Sequence, residues 1–116
     1  MSQTFLLKNN VKDMKELPHN IEAEQGILGA ILLNNNIYFD ISDILNIDHF
    51  YEPIHRLIFD AIEKLVSKGH IASPVTLKSI FELEKNLEEI GGSNYLVRLA
   101  NSAVSLDYAK NYAHII

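Results

Sequence analysis

The chain has 116 residues, 47% of them hydrophobic and 22% charged, and its ten Lys and Arg against fifteen Asp and Glu leave a net charge of −5. That is enough for one domain with a real core and too little for two. The composition excludes global disorder, the acidic balance argues against gripping a phosphate backbone by charge alone, and the lack of cysteine removes any disulfide framework or thiolate zinc site.

Residues 1–17 form an N-terminal arm whose Lys and Asn content suggests disorder, although Leu7, Val11 and Met14 would also permit a short helix against a partner. The arm has no basic start leading into a long apolar block, so it is not a signal peptide. No run approaches the ~18 apolar residues of a membrane span, and the expected location is the cytoplasm, away from membrane. Pro18 closes the arm and a globular head of residues 18–103 follows. Asn20 is a good N-cap, with Glu22 and Glu24 in the first turn of a helix whose apolar face carries Ile21, Leu28, Ile31 and Leu32. Gly26, Gly29 and Ala30 give this helix a small-residue surface suited to close approach by another helix, and Asn34, Asn35 and Asn36 end it.

A short helix is predicted over 37–45. The strongest element covers 50–69, where Pro53 suits the first turn and Ile54, Leu57, Ile58, Ala61, Ile62, Leu65 and Val66 recur at helical spacing. Lys64 and Lys68 oppose the dipole near its end, and Gly69 can take the left-handed conformation just past it. This element is expected to be the central buried strut of the domain. Ser73 and Pro74 start a helix over 75–85 around Leu77, Ile80 and Phe81. Residues 87–90 form a stub stopped by Gly91 and Gly92. Ser93 caps a helix bearing Tyr95, Leu96 and Leu99, and Ser105 opens a final one with Tyr108, Tyr112, Ala113, Ile115 and Ile116. No segment alternates strictly over six residues and no hairpin dipeptide occurs, so the expected fold class is all-α, a bundle of about six short helices. The last helix stops in mid-pattern at Ile115 and Ile116, which reads as the N-terminal piece of a longer protein.

Chemistry is sparse. His19, His49, His55, His70 and His114 include no pair at i, i+3 or i, i+4, so no helix face presents two histidine ligands. His55 falls beside Arg56, off the apolar stripe, and is expected to be solvated or to cap; His49 is expected to hydrogen-bond within its own loop. Glu22/Glu24 and Glu88/Glu89 are spaced so that the carboxylates do not face each other, and are assigned to helix starts and solvated faces. Gly91-Gly92-Ser93 is a C-cap joined to an N-cap, with no GxxxxGK[ST] pattern to cradle phosphate. Helix 75–85 carries Glu82 and Glu84 as well as Lys78 and Lys85, which disfavours it as a DNA-reading helix. No catalytic, cofactor-binding or metal-ligating residue is assigned.

Three blocks carry a family resemblance. They are Pro18-His19-Asn20-Ile21-Glu22-Ala23-Glu24-Gln25 with Ile27-Leu28-Gly29-Ala30; Asp48-His49-Phe50-Tyr51-Glu52-Pro53-Ile54-His55-Arg56-Leu57-Ile58-Phe59-Asp60-Ala61-Ile62; and Leu87-Glu88-Glu89-Ile90-Gly91-Gly92-Ser93-Asn94-Tyr95-Leu96, leading to Tyr112-Ala113-His114-Ile115. In this order and spacing the chain resembles the N-terminal domain of bacterial replicative DNA helicases of the DnaB family. It departs from the family's usual entry to the last helix, where Val104, Ser105 and Tyr108 stand in place of Pro, Ser or Thr, and Asn.

The resemblance implies a collar domain of a hexameric helicase, paired through a helical hairpin into a trimer of dimers, that receives primase and in some bacteria a loader. Residues 104–116 would be the truncated start of that hairpin. ATP, Mg and single-stranded DNA would be handled by a C-terminal P-loop ATPase core beyond Ile116, and the isolated chain would self-associate weakly or not at all. Tyr108, Tyr112, Ile115, Ile116, His55 and Arg56 are the candidates for contact. The rival readings are a free-standing helical adaptor resembling a loader and a small nucleic-acid-binding helical domain.

Overall fold

Helix starts and stops lie where capping chemistry puts them. The computed structural model describes residues 20–104 and 106–116, and their regular structure is helical throughout: α1 Ile21–Leu33, α2 Asn36–Ile41, α3 Pro53–Ser67, α4 Pro74–Leu83, α5 Gly92–Asn101 and α6 Leu106–Ile115, with 3-10 turns at Ile47–His49 and Leu87–Ile90. The expected all-α class and helix number hold. The arm over 1–17 and the role of Ser105 in opening the last helix lie outside the described residues.

Asn20 caps α1, its side-chain oxygen accepting from the Ala23 N–H at 3.0 Å. Ser73 and Thr76 form a reciprocal box at the start of α4, with Pro74 in the first turn. The helix expected over 37–45 is shorter: α2 ends at Ile41 and residues 42–44 continue as turns. Ser93 does not cap α5. The cap position falls to Gly91, at φ 93°, followed by Gly92 at φ 78°. Two successive left-handed glycines reverse the chain between the 3-10 turn and α5, and Ser93 is carried into the first turn.

The helix at the centre is α1, not α3. Nine of its thirteen residues, from Ala23 to Leu32, are buried, and it packs against α2, α3, α5 and α6. Its glycines let neighbours come this close. A Cβ on Gly29 would lie 1.9 Å from the carbonyl oxygen of Leu99, so the backbones of α1 and α5 touch there; one on Gly26 would lie 2.9 Å from Val104 Cγ1. The Val104 N–H donates to Gly26 O at 3.3 Å just beyond this contact. The residues between α5 and α6 are thereby fixed to the same small-residue patch.

α3 closes the opposite side, turned relative to its predicted face. Ile58, Ala61, Ile62 and Val66 are buried as expected, but Phe59 and His55 join them while Leu57 is 38% exposed. Phe59 draws the helix round because its ring meets Phe50 at 5.0 Å and Tyr38 at 5.9 Å between centroids. Tyr38 donates its hydroxyl to Glu63 at 2.9 Å, and burial together with that carboxylate pushes the phenol up to about 12. Between the two sides, Asn35 acts as a backbone mimic. Its side-chain amide donates to Ile31 O and Ala72 O and its oxygen accepts from Ala72 N–H, at 2.7, 2.8 and 2.8 Å. That stitch ties the α1–α2 junction to the segment entering α4.

Gly29→Ala is expected to destabilise the domain by about 3 kcal/mol, since the obstacle is a backbone carbonyl that no rotamer change can clear. Urea denaturation of the wild-type and variant chains measures it.

Candidate docking surfaces and the buried polar centre

The most organised polar site in the described structure is built from α1, α3, α5 and the turn before α3. Glu24, expected as a solvated helix-start charge, is 1% exposed, and His55, expected to be solvated or to cap, is 0% exposed. The chain folds this way because Pro53 starts α3 immediately after a turn whose N–H groups have no helical acceptor. The Glu24 carboxylate supplies that acceptor: Oε2 accepts from the Tyr51 N–H at 2.7 Å and Oε1 from the Glu52 N–H at 3.4 Å. His55 Nδ1 lies 2.7 Å from Oε1. On its far side Nε2 lies 2.5 Å from the Tyr95 hydroxyl, which also accepts from Gln25 Nε2 at 3.1 Å. Arg56, the next residue, turns its Nε onto Phe50 O at 2.7 Å and fixes the other end of the same turn.

Burial opposes ionisation of Glu24. The hydrogen bonds from His55, Tyr51 and Glu52, with the His55 charge interaction added, outweigh it and hold the carboxyl below its ordinary range. An ionised carboxylate only accepts, so the proton between Glu24 and His55 sits on Nδ1. Burial pushes the Tyr95 phenol up, with the Glu52 and Glu24 charges acting the same way and the Gln25 hydrogen bond and Arg98 against it. The guanidinium of Arg98 lies 5.9 Å from the Tyr95 ring centre. With both central side chains sealed from solvent, this centre can hold elements together but cannot admit a substrate.

The residues expected at contact surfaces separate into two kinds. His55 offers no surface, whereas Arg56 is exposed. On α6, Ala109 and Ala113 are buried, Tyr112 and Ile116 pack partly against the core, and Tyr108 and Ile115 are 59% and 53% exposed. Tyr108 and Tyr112 lie side by side, 6.3 Å between ring centres. α6 thus presents an apolar outer edge whose inner edge is already used.

A second apolar surface was not anticipated from the sequence. A groove of about 270 Å³ runs between α3 and α4, where Leu57, Leu65, Ile80 and Phe81 are joined by Asp60, Lys64, Lys68, His70 and Glu84. It continues past His70 to Ile71 and Val75, and Ile71 also borders a hollow beside Leu33. Leu33, Ile71 and Val75 are each more than 60% exposed. A periodicity that places Val75 and Ile80 on a helix says nothing about which of them the next helix will cover. Elsewhere, His49 Nδ1 accepts from the Asn46 N–H at 3.1 Å within its own loop, as expected. Among the described residues no group of three His, Asp or Glu is placed to hold a metal ion, and no helix is long and apolar enough to cross a membrane.

Residues 16–116 match the family model described as the DnaB-like helicase N terminal domain. The replicative DNA helicase DnaB of Rickettsia typhi is 42% identical over 108 residues, which cover 93% of this chain and 22% of that protein. The Pasteurella multocida protein of the same name is 40% identical over 102 residues, covering 85% and 21% respectively. The chain therefore spans little more than a fifth of the length of the curated relatives it matches. Among solved structures, the N-terminal domain of DnaB helicase from Mycobacterium tuberculosis matches with a TM-score of 0.80 at 33% identity, covering 86% of this chain and 69% of that one.

Replacing Glu24 with Gln leaves an amide N–H facing donors and removes the charge that His55 and two backbone N–H groups serve, at an expected cost of about 3 kcal/mol. The sign of its pH dependence follows from the depressed carboxyl. In the wild type this contribution is fully present above the ordinary carboxylate value of 4.5 and is lost as pH falls through the lower folded value. Denaturation curves collected at descending pH should show the variant's acid limb shallower than the wild type's.

Proposed function

The chain belongs to the DnaB-like helicase N-terminal domain family, and on that premise we propose that it is the collar domain of a hexameric, ATP-dependent replicative DNA helicase, mediating oligomerisation and docking primase or a loader. It performs no chemistry of its own. The observation that carries this reading is where the structure puts its side chains: the Glu24–His55 pair is buried, while Tyr108 and Ile115 on α6 and Ile71 and Val75 beside the α3–α4 groove are exposed. Contiguous apolar surface of this kind marks protein contacts in soluble domains.

In this reading the α6 edge, with Tyr108 and Ile115 outermost, belongs to contacts between copies in a trimer of dimers. The α3–α4 groove, lined by Leu57, Leu65, Ile80 and Phe81 and flanked by Ile71 and Val75, receives an apolar helix of primase. ATP with Mg, and the single strand being translocated, are assigned to the remaining four-fifths of a parent protein. Gly91 and Gly92 are spent on reversing the chain into α5, no lysine accompanies them, and they do not fit a nucleotide phosphate. The acidic net charge fits a domain that leaves nucleic acid to another part of the protein.

Two substitutions separate the two surfaces. In the parent helicase, Ile115→Asp is expected to shift the hexamer toward smaller species in sedimentation velocity at micromolar concentration while primase still binds. The double change Ile71→Asp with Val75→Asp should leave the hexamer intact and weaken primase binding at least tenfold in calorimetry. An unchanged primase affinity in the double variant removes the groove from the docking surface. The 116-residue chain alone, which in this reading carries only the start of the pairing hairpin, is expected to self-associate weakly or not at all, and a tight dimer at micromolar concentration would contradict that.

A further inference from the structure

Leu7, Val11 and Met14 of the arm follow the i, i+4, i+7 spacing of one helix face, with Phe5 and Leu6 ahead of them. We propose that this stripe seats on the α3–α4 groove of its own chain, Met14 toward Leu57 and Leu7 toward Leu65, with Phe5 and Leu6 directed to Ile71 and Val75.

Length and charge agree on this occupant. As a helix the stripe is about 10 Å long, and the α3 side of the groove, from Leu57 through Ala61 to Leu65, runs about 12 Å. Anchors at this spacing are how an amphipathic helix fills a groove. A segment so short forms little helix alone in water and needs a surface to complete it. Three of the ten Lys and Arg and two of the fifteen Asp and Glu lie in residues 1–17. The arm therefore carries +1, and the rest of the chain, with seven against thirteen, carries −6. Lys12, next to Val11, is brought to a groove lined by Glu84 as well as by Asp60, which already holds Lys64 at 2.9 Å.

The direction follows from where the arm joins the head. α1 begins one turn before Glu24, whose carboxylate touches His55, and Leu57 is two residues further along α3. The tether of residues 15–19 spans up to about 17 Å when extended, enough to carry Met14 from the start of α1 to the Leu57 end of the groove. At the other end, Leu65 shares a hollow with His70, Ile71 and Val75, and the last two are 70% and 73% exposed. A short tether holds the arm at an effective concentration on the order of millimolar, roughly a thousandfold above that of a second copy at micromolar concentration. The seat is therefore within one chain.

The arm then covers the surface to which the collar reading brings primase, and an incoming helix must displace it. That consequence rests on the collar reading, whereas the seat stands or falls on this chain alone.

The test uses the lack of cysteine. Thr4→Cys accepts a single nitroxide label, and paramagnetic broadening of amide signals in the 116-residue chain reports where the arm lies. Amides of residues 65–71 and 75–80 should lose at least half their intensity, while those of α6, which packs on α1 and α2, keep theirs. Adding Val11→Asp and Met14→Asp, both in the arm, should abolish the loss. A mixture of spin-labelled chain with nitrogen-15 chain that carries no nitroxide should show no broadening. Broadening that is absent from the groove, concentrated on α6 or unchanged by the double substitution overturns the proposal. Equal broadening in the mixture assigns the groove to the arm of a second copy and overturns it as well.

Discussion

One buried carboxylate holds the head of this domain together. Glu24 leaves the first turn of α1, crosses to the turn before α3 and accepts there from two backbone N–H groups and His55. The cost of taking that charge out of water is several kcal/mol, and only a full set of donors makes it tolerable. That set lies within 51–55, and the bonds from His55 to Tyr95 and from Gln25 to Tyr95 extend the centre over three stretches distant in sequence: 24–25, 51–55 and 95. These are the stretches on which the family resemblance rests. Their residue types look unremarkable one at a time and become a single constraint when the helices assemble. Each helix must arrive in register, because a shift of one residue leaves an ion or a donor buried without its partner.

Around this centre the apolar packing is of two kinds. On one side Phe50, Phe59 and Tyr38 fill space with large rings, and fully burying each of the two phenylalanines is worth about 2–3 kcal/mol. On the other, the absence of side chains at Gly26 and Gly29 lets α5 and the 102–104 segment lie directly on α1. Each glycine costs about 1 kcal/mol of intrinsic helix stability, which the close contact offsets by burying the neighbouring backbone and Leu99. Polar specificity and small-residue contact therefore converge on α1 from opposite faces. This is why α1, rather than the more visibly amphipathic α3, became the central helix.

Function follows from what this arrangement leaves outside. With Glu24 and His55 sealed in and the small residues used up against α5, the apolar side chains left exposed include those on the outer edge of α6 and beside the groove between α3 and α4. The first is apolar, and the second sets apolar side chains among charged ones. The resemblance and the comparisons agree on the family; the particular partners rest on the proposal made for these surfaces.

The amino-acid sequence by itself determined the helical class, the caps at Asn20 and Ser73, the short stub at 87–90, the small-residue face of α1 and the family. These are local or nearly local facts: periodicity, capping atoms and Cβ-less positions act within a few residues and are written in order along the chain. Several things were decided only by the tertiary structure. α3 turned to bury Phe59 and His55 because Phe50 and Tyr38 wait on that side. Gly91 took the cap from Ser93 because two left-handed residues were needed to bring α5 onto α1. Glu24 became a buried anion because the turn before α3 brings the Tyr51 and Glu52 N–H groups to it. No periodicity announces a buried Glu–His–Tyr chain, since each member is polar and would be equally at home in water. Its burial is set by partners thirty and seventy residues away, and these meet only when the helices have packed.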